Sequence, residues 1–325
     1  MLIYFGKVGL QMQEPLQLDL TFDNESNHSY SLPEENKKEP LLQFKSNNGK
    51  LFLGDATKFL QTLPDKSVDL IIADPPYSIK KAEWDTFKSQ NDYVEWSLLW
   101  IREASRVLKN TGSLYIAGFS EIIADIKYRV SQEELFEGAR WLIWHYLNKA
   151  NLGKDWGRSH ETFIQFRKSK KFTMNQDFIR IPYGQHTLKY PSHPQSQNSE
   201  FSSKKKRDAW QPNPLGAKPK DVIEIPILNN GSPEKTPHPT QKPEELIRKF
   251  VLSSSNRDEL VVDPFSGSGT TVTVAEELGR KWIGNDMIKK YNDMAIQRVI
   301  SAKHMSDEEW FWFDRENELR RKGIR

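Results

Sequence analysis

The sequence predicts an α/β fold in which one largely parallel sheet, covered on both faces, is assembled from two stretches far apart in the chain. Three observations predict it. Val68–Ala73 reads as a buried strand ending at a loop, as expected of a parallel strand with helices on both sides. Strand–helix alternation runs from about residue 50 to 170 and resumes at Pro243. The intervening stretch is basic and proline-rich, and the alternation is lost in it.

The elements follow in order. Residues 1–48 are expected to be a poorly structured N-terminal segment, because Asp23–Lys38 is polar and no apolar period survives in it. A short strand from Leu51, a helix over Ala56–Leu63 and the strand Val68–Ala73 come next. A helix over 93–108 stops before the breaker Asn110-Thr111-Gly112, and strands follow at Ser113–Ala117, 141–147 and 161–167. The second stretch opens with a helix carrying Pro243 in its first turn. It continues as strand Glu259–Asp263, helix Thr270–Leu278, strand Lys281–Asn285 and helix Ile288–Ile300. Glu308–Arg325 reads as a helix whose cluster Trp310–Phe313 suits docking. The expected division is thus 1–48, a first half 49–171, an insertion 172–236, a second half 237–303 and a helical tail 304–325.

Composition excludes several chemistries. The 325 residues contain no cysteine, so disulfides, thiolate metal sites and cysteine nucleophiles are absent. No histidine spacing suggests a metal site. No apolar run approaches the roughly 18 to 20 residues of a membrane span, and the N-terminus lacks a signal-peptide core. A cytoplasmic protein with no membrane partner is expected. The net charge of +3 hides an asymmetry: residues 149–220 hold 15 Lys/Arg against 5 Asp/Glu, a balance of +10, and the rest carries −7. The block includes Arg167–Lys171 and Lys204-Lys205-Lys206-Arg207. Clustered positive charge of this kind suits phosphate, although a solvated basic surface would look the same.

Two loops carry the chemistry. The strand ending in Asp263 leads into Gly267 and Gly269 and then a helix, and Asp286 ends the next strand 19 residues beyond Gly267. Glycines admit close backbone approach, a helix N-terminus favours negative charge, and the later acid can accept both ribose hydroxyls. The loop lacks the lysine of a Walker sequence. Val272 stands where a dinucleotide fingerprint wants a small residue, and Asp263 would repel a pyrophosphate. Asp263 suits instead a cationic ligand such as the methionine part of S-adenosylmethionine. At the other strand end, Asp74-Pro75-Pro76-Tyr77 offers carbonyl and carboxylate acceptors, few donors and a flat π face. That set matches an amino group on a heterocycle. Hydrogen bonds to Asp74 and the Pro75 carbonyl would localise its lone pair for direct attack on a sulfonium methyl, and Tyr77 would stack on a base flipped from the duplex.

With these motifs in this order, the chain resembles the DNA amino-methyltransferases of the beta motif order, acting on adenine N6 or cytosine N4. The resemblance spans roughly 50–170 and 236–300: Gly54-Asp55, DPPY at 74–77, HPTQKP at 238–243, DPFSGSGTT at 263–271 and IGND at 283–286. It implies a Rossmann-like seven-stranded methyltransferase sheet with target recognition in the slot 172–236. It implies S-adenosyl-L-methionine held by Asp263, Phe265, Gly267, Ser268, Gly269 and Thr270, with Asp286 on the ribose. His238, Thr240 and Lys242 would hold the methionine end, Lys242 as a cation for its carboxylate or as a merely solvated lysine. Asp55 would accept from the cofactor adenine or simply cap the helix at Ala56. His160-Glu161 is expected to be a surface pair without a role. The loop Ser78–Asn91 would close over the base with Lys80 and Lys81 near phosphate, and Lys204–Arg207 would grip phosphate rather than read bases. The implied partner is double-stranded DNA. A restriction endonuclease acting on the same site and a homodimer are compatible with it. Asp at the first position of the tetrapeptide favours adenine N6 within the family, with cytosine N4 as the alternative. A non-catalytic DNA-binding module would have no need of the Asp74 acceptor nest.

Overall fold

The computed structural model describes residues 38–77, 87–146, 154, 156–191 and 211–323. Nine strands form one sheet: β1 (Leu41–Lys45), β2 (Gly49–Leu53), β3 (Val68–Ala73), β4 (Leu108–Gly118), β5 (Gly138–His145), β6 (His160–Arg167), β7 (Val222–Glu224), β8 (Leu260–Asp263) and β9 (Lys281–Asp286). The spatial order is β1-β2-β9-β8-β3-β4-β6-β5-β7. The seven strands from β2 to β5 are the expected methyltransferase-type sheet, and within them only β6 runs antiparallel to its neighbours. β1 and β7 are additions at the two edges.

Strand β3 comes from the first half of the chain and β8 from the second, yet they pair in parallel with Ile71 opposite Val262. From β3 the chain passes through α2 (Gln90–Val107) to β4 on one side. From β8 it passes through α6 (Thr270–Glu277) to β9 on the other. The two connections diverge at the carboxyl ends of these strands, the topological switch point at which open α/β sheets bind ligands. Period-2 alternation along β3 divides the core. Leu70 and Ile72 pack with α5 (Glu244–Ser254), α6 and α7 (Lys289–Ile300), whereas Ile71 and Ala73 pack with α1 (Ala56–Gln61), α2 and α3 (Ser120–Gln132). Asp69 interrupts the apolar run. It is buried at the far end of β3, where Lys109 Nζ lies 2.8 and 2.9 Å from its oxygens and the Leu260 amide donates to it at 2.9 Å. A buried carboxylate needs such partners, and these lock β8 beside β3.

Several boundaries differ from those the sequence suggests. The N-terminal segment does not stay irregular to residue 48, because Leu41–Lys45 pairs antiparallel with β2. Residues 1–37 lie outside the described residues. Helix α2 stops at Val107, before Asn110–Gly112 as expected, but β4 begins at Leu108 and takes those residues in, next to a register irregularity opposite Val68 and Leu70. Helix α3 is not anticipated: its buried Ile122, Ile123, Ile126 and Val130 keep helical spacing, but Phe119 at its start gives no side-chain cap. Pro243 is the cap of α5 rather than part of its first turn. Between the halves, the inserted region includes a short 3-10 turn (Gln176–Ile179) and α4 (Gln185–Lys189), and it returns to the sheet as β7 beside β5.

Helix α8 (Asp307–Arg321) begins with a capping box between Ser306 and Glu309. Trp310 and Phe311 are buried while Trp312 and Phe313 are half-exposed. The Arg248 guanidinium lies 3.6 Å from the Trp310 ring centre, and Arg321 pairs bidentately with Glu245 at 2.7 Å. The aromatic cluster therefore docks one face of the helix onto α5. Among the described residues no helix is long and apolar enough to cross a membrane.

Candidate active site at the switch point

The carboxyl ends of β3 and β8 bring Asp74 and Asp263 together, and β9 adds Asp286 beside them. Asp263 is buried, its Oδ1 accepts from the Phe265 amide at 3.0 Å, and no cation pairs with it among the described residues. Burial pushes its carboxyl up to about 7, with Asp74 and Asp286 adding to the rise. A carboxyl held this way is complementary to a cationic ligand arriving from outside, and this is the observation by which the site fits the amino group of a methionine-type cofactor. Asp286 is raised to about 6, chiefly by burial. Its oxygens already accept the Gly267 and Ile288 amides, each at 2.8 Å. Asp286 therefore shapes the glycine loop, and its remaining lone pairs are what a ribose would meet.

The glycine loop is fastened from behind. Gly269 has φ +79°, and a Cβ there would lie 2.5 Å from Ala295 Cβ on α7. The glycine is thus needed for helix packing rather than for approach to a ligand. At Gly267, φ +50°, a Cβ would meet the His238 ring at 3.1 Å. The Ser268 and Thr270 side chains, expected on the cofactor, are buried and turned towards Arg298. Its Nη1 donates to Ser268 O and Thr270 Oγ1 at 3.0 Å, and its Nη2 to Glu244 at 2.5 Å. Phe265 packs edge-on against Trp100, with centroids 5.2 Å apart, and also touches Trp96. Asp55 caps α1, accepting from the Lys58 amide at 3.0 Å. This is the capping alternative.

The HPTQKP segment forms one wall. Gln241 is buried and rivets the segment: it accepts from Thr236 N at 2.7 Å and donates to Glu234 O at 2.7 Å. His238 stacks edge-on with Tyr291 at 4.4 Å, and its Nδ1 accepts from Thr240 N at 3.4 Å. Burial, with Lys242, Lys235 and Arg298 nearby, lowers its pKa to about 4, so its imidazole is neutral.

Lys242 does not wait for a ligand carboxylate. Its Nζ lies 2.9 Å from Asp74 Oδ1 and 2.7 Å from Oδ2, and Glu161 is 3.2 Å away. The expected role at the methionine end is corrected accordingly: an ammonium fully engaged by two carboxylates has no need of a third. Glu161 is the second correction. It is not a surface residue. Antiparallel β6 starts at the carboxyl edge and turns Glu161 into the site, where it accepts from Tyr146 Oη at 2.7 Å and Tyr77 Oη at 3.1 Å. Burial opposes its charge, but Lys242 and the two hydroxyls hold its pKa below the ordinary value. Tyr77 Oη also meets Asp74 Oδ1 at 2.8 Å, and the Tyr77 ring centre lies 5.1 Å from that of Phe119, the two rings steeply inclined, and 5.2 Å from Lys242 Nζ. Arg158 covers the outer face of Phe119 at 3.9 Å. Tyr146, Phe119, Arg158, Glu161 and Arg298 escape sequence reasoning. Only the His-Glu dipeptide at a strand start hints at any of them.

The basic block is split. Antiparallel β6 carries Arg167–Lys171 to the opposite edge, on the order of 20 Å from Glu161 at the usual rise per residue. There Lys168 donates to Ser105 Oγ at 2.6 Å and Leu135 O at 3.1 Å. This half of the block does not face the site. Lys80, Lys81 and Lys204–Arg207 lie outside the described residues.

A parallel-sheet switch point with an acceptor strand end beside an acidic glycine loop suits a nucleoside-containing cofactor facing a second, amine-bearing ligand. Residues 68–297 match the DNA methylase family model for N6 and N4 methyltransferases. The chain is 36% identical over 256 residues to the type II methyltransferase M.HpaI of Haemophilus parainfluenzae, covering 78% of this chain and 74% of that one. It is 34% identical over 260 residues to the DNA adenine methyltransferase YhdJ of Escherichia coli (strain K12), covering 79% and 84%. In structure it is similar to the PvuII DNA methyltransferase (cytosine-N4-specific), with TM-score 0.62, 21% identity and coverage of 87% and 96%. The protein belongs to the N6/N4 DNA methyltransferase family of restriction–modification type.

Proposed function

We propose that this chain transfers a methyl group to the exocyclic amine of a base flipped out of double-stranded DNA. The observation that carries the reading is the adjacency of the Asp74 acceptor and the Asp263 glycine loop at one switch point. S-adenosyl-L-methionine supplies an electrophilic methyl group on a sulfonium. Asp263, Asp286 and the glycine loop hold it, with Phe265 and the neutral His238 as walls. Asp74 and the Pro75 carbonyl accept the two N–H bonds of the amine, localise its lone pair and stabilise the positive charge that develops on nitrogen. Tyr77 supplies the face on which the base stacks, and its hydroxyl keeps Asp74 oriented. Residues 172–236, with Lys204–Arg207 gripping phosphate, select the sequence.

Asp74 and the likeness to an adenine methyltransferase support adenine N6. The fold likeness to a cytosine-N4 enzyme supports cytosine N4, whose amine presents the same two donors beside a ring nitrogen. The test is to incubate protein, labelled S-adenosyl-L-methionine and DNA of varied sequence, digest to nucleosides and identify the product by mass spectrometry. N6-methyladenine selects the first reading and N4-methylcytosine the second. Absence of both from every DNA refutes the proposal. Asp74→Ala should abolish product while cofactor binding persists.

A further inference from the structure

Glu161 and Lys242 form a charged group around Asp74 that amine methylation as described above does not use. Lys242 Nζ occupies both oxygens of Asp74, at 2.9 and 2.7 Å, so an amine donating to that carboxylate must displace it. Lys242 is buried, with 6% of its side chain exposed, so a displaced ammonium has no cheap path to water. Glu161 stands 3.2 Å from the same Nζ and is itself fixed by Tyr146 and Tyr77. We propose that Lys242 and Glu161 are positioning residues for Asp74: Lys242 keeps the acceptor charged before the base arrives, and Glu161 takes Lys242 over when the amino group displaces it. The inference rests on the reading that Asp74 receives the amine.

The charges require both halves of this exchange. Among the described residues, the groups facing Asp74 are Lys242 from the segment before α5, Glu161 on β6, Tyr77 on its own segment, Tyr146 after β5 and Asp263 at the end of β8. Lys242 is the only cation among them. Burial raises the Asp74 pKa and Glu161 adds to the rise, while Lys242 opposes both; removing Lys242 would shift Asp74 further towards the protonated form, which has lost acceptor capacity. An ammonium left beside Asp74 would oppose the positive charge developing on the amine nitrogen. Handing it to Glu161 keeps it paired and moves it off the reacting atom. Burial opposes the charge on Lys242, but Asp74 and Glu161 together outweigh it and raise its pKa, so it is an ammonium between them.

The experiment is single-turnover methylation from about pH 6 to pH 9, with cofactor affinity and 2-aminopurine fluorescence at the target position as controls. Lys242→Met should lose about tenfold or more at neutral pH and recover as the pH rises, because Asp74 must then ionise unaided. Lys242→Arg should return the profile towards wild type. Glu161→Gln leaves the ammonium on Asp74 and should slow transfer on the order of 10²-fold at every pH with base flipping intact. Adding Lys242→Met to Glu161→Gln should make the enzyme faster than Glu161→Gln alone at high pH, whereas purely structural damage would accumulate. A Lys242→Met profile shaped like wild type, a Glu161→Gln enzyme at the wild-type rate, or a double variant slower than Glu161→Gln at high pH each overturns the proposal. The Glu161→Gln arm stands even if Lys242→Met does not fold. A wild type that methylates no base refutes the proposed function itself. A wild-type-like Glu161→Gln refutes only the exchange.

Discussion

Asp263→Asn should stabilise the cofactor-free protein while destroying its grip on the cofactor. The side chain is 4% exposed, and burial lifts its carboxyl from the ordinary 3.8 to about 7. A folded state that binds the proton more tightly than the unfolded chain loses stability as pH rises from about 4 to about 7, and the penalty is complete above that. At roughly 1.4 kcal/mol per pH unit the ionised carboxylate costs the fold about 4 kcal/mol at pH 8. Asparagine still accepts from the Phe265 amide but gives up an oxygen that Thr271 supports, so a net gain of about 2–4 kcal/mol is expected. Urea unfolding without cofactor at pH 5 and pH 8 measures it: the variant should lead by the full amount at pH 8 and by much less at pH 5. Calorimetry should show the reverse for S-adenosyl-L-methionine. Wild-type affinity should weaken about tenfold per pH unit well below pH 7, because only the carboxylate complements a cation. The asparagine variant should bind weakly with a flattened profile. A variant no more stable than wild type at pH 8, or equally stabilised at both pH values, would refute the reasoning.

Gly269→Ala combines a left-handed backbone with a Cβ 2.5 Å from Ala295 Cβ; a loss of about 2–4 kcal/mol in chemical denaturation is expected, part of it regained by Ala295→Gly. Arg298→Ala frees Ser268 O, Thr270 Oγ1 and Glu244, and calorimetry should show cofactor affinity falling by about one to two orders of magnitude because the glycine loop is no longer held. Neutralising Lys204–Arg207 should weaken DNA binding and reduce the slope of log K against log salt by up to about 0.9 per lost phosphate contact. Neutralising Lys170 and Lys171, on the opposite edge of the sheet, should leave that slope unchanged.

Much of the site was legible from residue types at strand ends. Asp74–Tyr77 and Asp263–Thr270 lie where the alternation puts them, because a strand buried on both faces can end only at an edge of the sheet. Less legible were residues whose roles depend on a partner far away in the chain. Beyond the His-Glu dipeptide at a strand start, nothing near Glu161 distinguishes it from a surface acid, and 84 residues separate it from Tyr77. Ser268 and Thr270 sit in the expected loop, yet their side chains point at Arg298, which lies 28 residues beyond Thr270.

The sequence by itself determined the α/β class, the two-part sheet, the acceptor tetrapeptide and the acidic glycine loop. These follow from apolar periodicity, backbone restriction at proline and glycine, and the composition of short segments, all of them local properties. Only the tertiary structure decided that Lys242 belongs to Asp74, 168 residues away, that Glu161 completes the cluster, and that Arg167–Lys171 faces the wrong edge for the site. The physical reason is the direction of one strand. Because β6 runs antiparallel between β4 and β5, its first residues enter the site while its last leave it, and no local pattern in the chain encodes that reversal.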